Sequence, residues 1–141
     1  MDFPKSFDLE DKVVVVTGGA GVLPSTMAKA IGECGGKLAI LDIDKDAMKE
    51  LSQELEENDV EHITLKTDVL DKESIEKAAE KVMDEFGRVD VLINGAGGNR
   101  PEATTSEDQS FFELPEDGVR FTFDLNFLGT FLPSQVFGEI I

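Results

Sequence analysis

Between residues 12 and 94, four short apolar runs alternate with three segments of helical periodicity, and this alternation constrains the fold most. The runs are Val13–Val16, Leu38–Leu41, Ile63–Leu65 and Val89–Ile93. Near-continuous apolar runs this short suit strands covered on both faces, as in a parallel sheet. Between the first two, Met27, Ala30, Ile31 and Cys34 fall at i, i+3, i+4 and i+7, and Gly35-Gly36 supplies a stop. The second segment carries Ala47, Met48, Leu51 and Leu55 on one face behind Asp44, a natural N-cap. In the third, Asp71 precedes Ile75, Ala78, Ala79, Val82, Met83 and Phe86, and Gly87 ends the row. Alternation of this kind predicts stacked βαβ units with right-handed crossovers and an α/β fold, its strands ordered 3-2-1-4. With 141 residues, the chain is expected to form a single domain, residues 1–141.

After Asn94 the pattern changes. Gly95 to Ser110 is rich in Gly, Thr and charge and reads as a long loop. Residues 119 to 138 read as a helix that is apolar nearly all round. Phe123, Phe127 and Phe131 form one row, and Phe121, Leu125, Leu128 and Leu132 another. Such a helix is expected to be covered on most sides, with Pro133 placed to kink it.

Lys and Arg total 13 against 30 Asp and Glu, a net charge of -17. That balance argues against nucleic acid and anionic membranes as partners. The carboxylates concentrate in helical stretches, Glu50 to Asp59 and Asp71 to Glu85, as solvated faces do. Cys34 is the sole cysteine and His62 the sole histidine. No internal disulfide can form, a reducing compartment is suited, and no metal site is expected. No apolar run approaches the ~20 residues of a membrane helix. Met1-Asp2-Phe3-Pro4-Lys5 lacks a secretion pattern, so a cytoplasmic location is the expectation.

Four candidate motifs fall at successive strand ends. Thr17-Gly18-Gly19-Ala20-Gly21-Val22-Leu23 leaves the first strand and opens the first helix. Glycines there let the backbone approach a pyrophosphate, and a helix N-terminus offers free N–H groups and a favourable dipole. Thr17, Gly18, Gly21 and Leu23 are the candidate contacts; a plain tight turn is the alternative. Asp42 closes the second strand. A carboxylate there can accept both hydroxyls of an adenosine ribose and repels a 2′-phosphate, which favours NAD over NADP; a strand-end cap is its other reading. Asp68-Val69 follows the third strand, and Asn94-Gly95-Ala96-Gly97 the fourth. Ligands of open α/β sheets bind at these carboxyl ends.

These residues, with Asn126 in Asp124-Leu125-Asn126-Phe127-Leu128-Gly129-Thr130-Phe131, resemble the short-chain dehydrogenase/reductase family from about residue 7 onward. The resemblance implies a Rossmann-type doubly wound parallel sheet, here incomplete, with four strands and the second half missing. It also implies NAD as cofactor, a pyrophosphate on the glycine turn, adenine against Asp68 and a cleft shaped by Asn94, Ala96 and Gly97. Asn126 matches the helix asparagine of the family's proton relay. The resemblance further implies a homo-oligomer. Within the family, the glycine turn and the run Phe123 to Phe137 are similar to D-mannonate oxidoreductases, or fructuronate reductases, whose substrates are sugar acids. Arg100 in the long loop suits a carboxylate, with plain solvent exposure as the alternative.

Three departures stand out. Val22 and Pro24 occupy the usual second and third glycine positions, so phosphate contacts are expected to differ. Gly95 replaces a second asparagine. The chain also contains no tyrosine, so the family's Tyr-x-x-x-Lys is absent and general acid–base assistance, typically ~10²–10⁴-fold, is not expected from these residues. A non-enzymatic nucleotide-binding or interaction module arising from truncation is therefore the rival reading. A methyltransferase would share the glycine turn and the acid, but it does not predict Asn94-Gly95-Ala96-Gly97 or Asn126.

Overall fold

The computed structural model describes residues 8–141; the reading of Met1–Lys5 lies outside them. Strands β1 (Val13–Thr17), β2 (Lys37–Asp42), β3 (His62–Lys66) and β4 (Val91–Asn94) alternate with helices α1 (Val22–Glu33), α2 (Lys45–Glu57) and α3 (Lys72–Phe86). Helix α4 (Glu116–Ile140) follows β4 after a long connection. The strands form one sheet ordered β3-β2-β1-β4, and every pairing is parallel. The alternation of patterns therefore yields the predicted α/β order.

Side-chain alternation along β1 and β2 divides the core into two layers. Val14, Val16, Leu38 and Ile40 meet Ala28 of α1 and Met48, Leu51 and Leu55 of α2. On the opposite face, Val13, Val15, Ala39 and Leu41 meet Ile75, Ala78, Ala79 and Val82 of α3 and Phe137 of α4. Each of the four valines is almost wholly buried, and each such burial stabilises the fold by ~1.5–3 kcal/mol. The helix boundaries follow local chemistry. Asp44 accepts the N–H groups of Asp46 and Ala47, Asp71 accepts that of Glu73, and Gly87 takes the left-handed conformation with φ 71° that ends α3.

Several expectations are corrected. Burial on both faces holds for β1 and β2, whereas β3 and β4 are edge strands and are partly exposed. The fourth strand begins at Val91 rather than Val89, because Asp90 is used as a clamp. In α1 the fully buried residue is Ala28, and Met27 turns outward, 49% exposed. The loop after β4 contains short 3-10 turns at Pro101–Ala103 and Phe111–Glu113. Helix α4 is longer than expected and runs through Pro133. It is covered on one side only: Gly118, Gly129, Pro133 and Phe137 are buried, while Phe123, Phe127 and Phe131 face outward. Apolar periodicity marked α4 as a helix but could not reveal which elements cover it. No helix among the described residues is long and apolar enough to cross a membrane.

Asp90 ties the start of β4 to the start of β1. Its Oδ2 accepts the Val13 N–H at 2.9 Å, its own N–H donates to the Val13 carbonyl at 2.9 Å, and Arg88 pairs with Oδ1. The Val13 N–H and then Arg88 hold the Asp90 carboxyl below the usual carboxylate range, against a smaller opposing effect of desolvation. A carboxylate lowered in this way contributes stability above its unfolded pKa and loses it as pH falls through the lowered folded value. Asp90→Asn is thus expected to reduce the melting temperature at neutral pH. Its deficit against the parent should shrink as pH drops below ~4, as thermal melts across that range would record.

Candidate functional site

A cleft of about 770 Å³ opens over the carboxyl ends of all four strands. Its walls are Gly18 and Gly21 after β1, Asp42 and Ile43 at β2, Thr67 to Leu70 after β3, and Asn94 to Gly97 at β4. Val22, Leu23, Pro24 and Met27 of α1 and Phe121 and Leu125 of α4 close its sides. The site is a product of topology, since a parallel sheet brings four sequence-distant turns to one edge.

The turns after β1 and β4 touch. Gly18 has φ 57°, and a Cβ there would lie 2.6 Å from the Ala96 Cα. Only glycine fits such a contact and such a dihedral without strain. The buried Thr17 hydroxyl accepts the Ala96 N–H at 3.3 Å and so ties the two turns together. Gly21 then caps α1, whose first-turn amides at Val22 and Leu23 have no acceptor within the helix. Pro24, at the third helical position, contributes no N–H. Pro24 and Gly95 prove to be neighbours: a Cβ at Gly95 would meet Pro24 Cγ at 2.7 Å and the Thr17 carbonyl oxygen at 2.7 Å.

Asp42 caps both its own turn and the turn after β1. Oδ2 accepts the Ala20 N–H and Oδ1 the Asp44 N–H, each at 3.0 Å. A carboxylate has about four lone-pair sites, so both oxygens keep capacity toward the cleft. Asp68 Oδ1 accepts the Leu70 N–H at 2.9 Å, and Val69 is buried beneath α4 at Gly129. Asn94 donates to Ser134 Oγ at 3.0 Å, while its Oδ1 is buried without a hydrogen-bond partner. Asp42 and Asp68 make the cleft wall acidic, and no Lys, Arg or His lines it.

The structure thus places Gly18, Gly21, Leu23, Asp42, Asp68, Val69, Asn94, Ala96 and Gly97 on one cleft. Thr17 and Asn126 are not on its wall. Thr17 lies beneath it. Asn126 accepts the Gly98 N–H at 3.2 Å and donates to the Gly98 carbonyl at 2.7 Å and to that of Thr122 at 2.7 Å. A Cβ at Gly97 would lie 2.8 Å from Asn126 Oδ1, so this glycine admits the asparagine. Missed in the sequence were Ile43, Met27, Phe121 and Leu125. Ile43, 61% exposed directly after a strand-end acid, carried a readable signal; Phe121 and Leu125 required the α4 packing.

The short chain dehydrogenase family profile matches residues 12–140. The chain belongs to that family. It is 42% identical over 144 residues to the uncharacterized oxidoreductase UxuB of Bacillus subtilis, a match that covers 96% of this chain and 52% of that protein. An uncharacterized oxidoreductase of Haemophilus influenzae is 36% identical over 149 residues, covering 99% of this chain and 52% of the relative. A crystal structure from Haemophilus, described as a candidate D-mannonate oxidoreductase with bound NAD, superposes with a TM-score of 0.89 at 35% identity. That match covers 96% of this chain and 52% of the other. The chain therefore spans about half the length of these relatives.

Because Asn126 holds Gly98 by two hydrogen bonds, each worth ~1 kcal/mol, Asn126→Ala should free the segment that follows. Amide exchange at Gly98, followed by NMR, is expected to accelerate by about tenfold or more. Exchange in β1 should stay as it is.

Proposed function

We propose that this chain is the dinucleotide-binding portion of an NAD-dependent oxidoreductase, whose whole form moves hydride between NAD and a sugar acid of the D-mannonate type. The observation that carries the reading is Asp42 at the end of β2, held by the Ala20 amide at 3.0 Å and facing the same cleft as the glycine turn. The residues present fit the cofactor. Gly18 admits the close approach of the turns after β1 and β4 that shapes the cleft, the amides of Val22 and Leu23 point from a helix N-terminus, and the cleft volume lies within the ~300–1,000 Å³ usual for such sites.

When bound, NAD supplies the hydride acceptor. The helix dipole and the amides of Val22 and Leu23 hold the pyrophosphate without a basic side chain. Asp42 accepts the adenosine ribose hydroxyls and repels a 2′-phosphate. Asp68 and Val69 border adenine, and Asn94, Ala96 and Gly97 border the reacting end. Asn126 acts as a positioning residue through Gly98. No tyrosine occurs among the 141 residues, so the proton step of the whole enzyme is assigned to none of them. The NAD bound to the Haemophilus structure supports the cofactor, and its description supports the sugar acid. Self-association also belongs to this reading. Phe123, Phe127 and Phe131 are 70%, 66% and 47% exposed in one row, and the rings of Phe127 and Phe131 stack at 6.1 Å.

Calorimetry on the chain is expected to show NAD binding more tightly than NADP. Asp42→Asn, which keeps the volume, should weaken NAD by about tenfold or more, as befits lost charge-assisted hydrogen bonds, and should narrow the gap to NADP. Tighter binding of NADP by the parent chain would remove Asp42 from its role. In light scattering, Phe127→Asp is expected to shift the chain toward smaller species; an unchanged mass would exclude this row from self-association.

A further inference from the structure

Arg100 stands apart from the other arginines. Arg88 pairs with Asp90 and Arg120 with Glu116, whereas Arg100 has no carboxylate within ion-pair distance among the described residues. Arg100 is exposed to solvent in a chain with 30 Asp and Glu. Its position is nevertheless fixed. The Arg100 guanidinium carbon lies 3.4 Å from the centroid of the Phe121 ring, a cation–π contact.

The backbone that carries it is fixed as well. Asn126 holds Gly98, Thr122 donates to Asn99 Oδ1 at 3.3 Å, and Asn99 Oδ1 accepts the Arg100 N–H at 2.9 Å. The Thr104 hydroxyl donates to the Arg100 carbonyl at 2.9 Å. Gly118, Phe121, Thr122, Leu125 and Asn126 sit at helical spacing on α4, so one helix face sets both the loop and the ring beneath the guanidinium.

Phe121 is a wall of the main cleft, and Arg100 lines an adjoining hollow of about 570 Å³. The stacked pair joins the two. Thr104, Thr105, Ser106 and Gln109 give that hollow hydroxyl and amide groups, and Glu102 lines it without pairing with Arg100. Stacking uses the face of the guanidinium and leaves its in-plane N–H groups free for a bidentate contact with a carboxylate. The main cleft offers an anionic substrate no cation of its own.

We propose that Arg100, seated on Phe121, is the residue that recognises the carboxylate of a polyhydroxylated acid, with the hydroxyl-lined hollow receiving the polyol. This rests on the oxidoreductase reading above and adds the anchor that selects an acid over a neutral polyol.

The test follows the Arg100 Nε–Hε resonance by NMR in the full 141-residue chain, assigned by its loss in Arg100→Met. D-mannonate, D-mannitol and acetate are titrated separately, with and without NAD. The expected result is a saturable shift with D-mannonate at about a tenfold lower concentration than with acetate, and no shift with D-mannitol. Phe121 ring signals should follow D-mannonate in the parent chain and stay still in Arg100→Met, while the Gly98 and Asn99 amides keep their positions in that variant. A resonance unmoved by D-mannonate, moved equally by D-mannitol, or moved equally by acetate overturns the proposal. Intact NAD binding with any of these three outcomes discards the anchor and spares the cofactor reading. A D-mannonate shift without NAD binding does the reverse.

Discussion

The contact between the turns after β1 and β4 is the constraint on which the rest of the structure depends. Gly18 lies so close to Ala96 that no side chain fits between them. This approach lets the Thr17 hydroxyl reach the Ala96 amide and aims α1 over the cleft. It also sets where Gly97 and Gly98 pass Asn126, and hence where the long loop leaves the sheet. Hydrophobic burial of Val13 to Val16 supplies the energy that holds β1 in the middle of the sheet, but it does not choose this geometry. Two glycine-containing turns and one threonine do so.

Pro24 and Gly95, read separately in the sequence as departures from a family pattern, become one feature in space. A proline ring at the third position of α1 fills volume beside β4, and the absence of a side chain at 95 makes room for it. Close packing of helix against the end of β4 is kept, with the small residue at 95 in the turn that follows the strand. The helix gives up one amide in this exchange, because proline has none to offer, so the amides of Val22 and Leu23 carry more of any anion contact.

Much of this was legible in the sequence, for physical reasons. Strands β1 and β2 are central, so burial on both faces writes itself into unbroken apolar runs. Asp44, Asp71 and Gly87 act on their own helices, and local chemistry is visible locally. The cleft residues were found because a parallel sheet gathers its strand ends, which makes Asp42, Asp68 and Asn94 predictable as neighbours. What stayed hidden depends on long-range packing. The outward turn of Met27 in favour of Ala28, the one-sided cover of α4 and the placement of Arg100 on Phe121 all follow from helix orientation, which periodicity leaves free. Thr17 and Asn126, expected among the site residues, have side chains that hold backbone beneath and beside the cleft.

The acidic cleft wall has a consequence in terms of ionic strength. Asp42 and Asp68 face the cleft with no lysine or arginine on its wall, and the chain around them carries a net charge of -17. On the proposed reading, attraction for a phosphorylated ligand would come from backbone dipoles at short range, while the repulsion comes from charges spread over the whole surface. The Debye length shrinks from ~30 Å at 0.01 M salt to ~8 Å at 0.15 M, so salt removes the distant repulsion and leaves the adjacent dipoles largely intact. A site built this way holds an anion better in a salty solution than in a dilute one, the reverse of a site that relies on basic side chains.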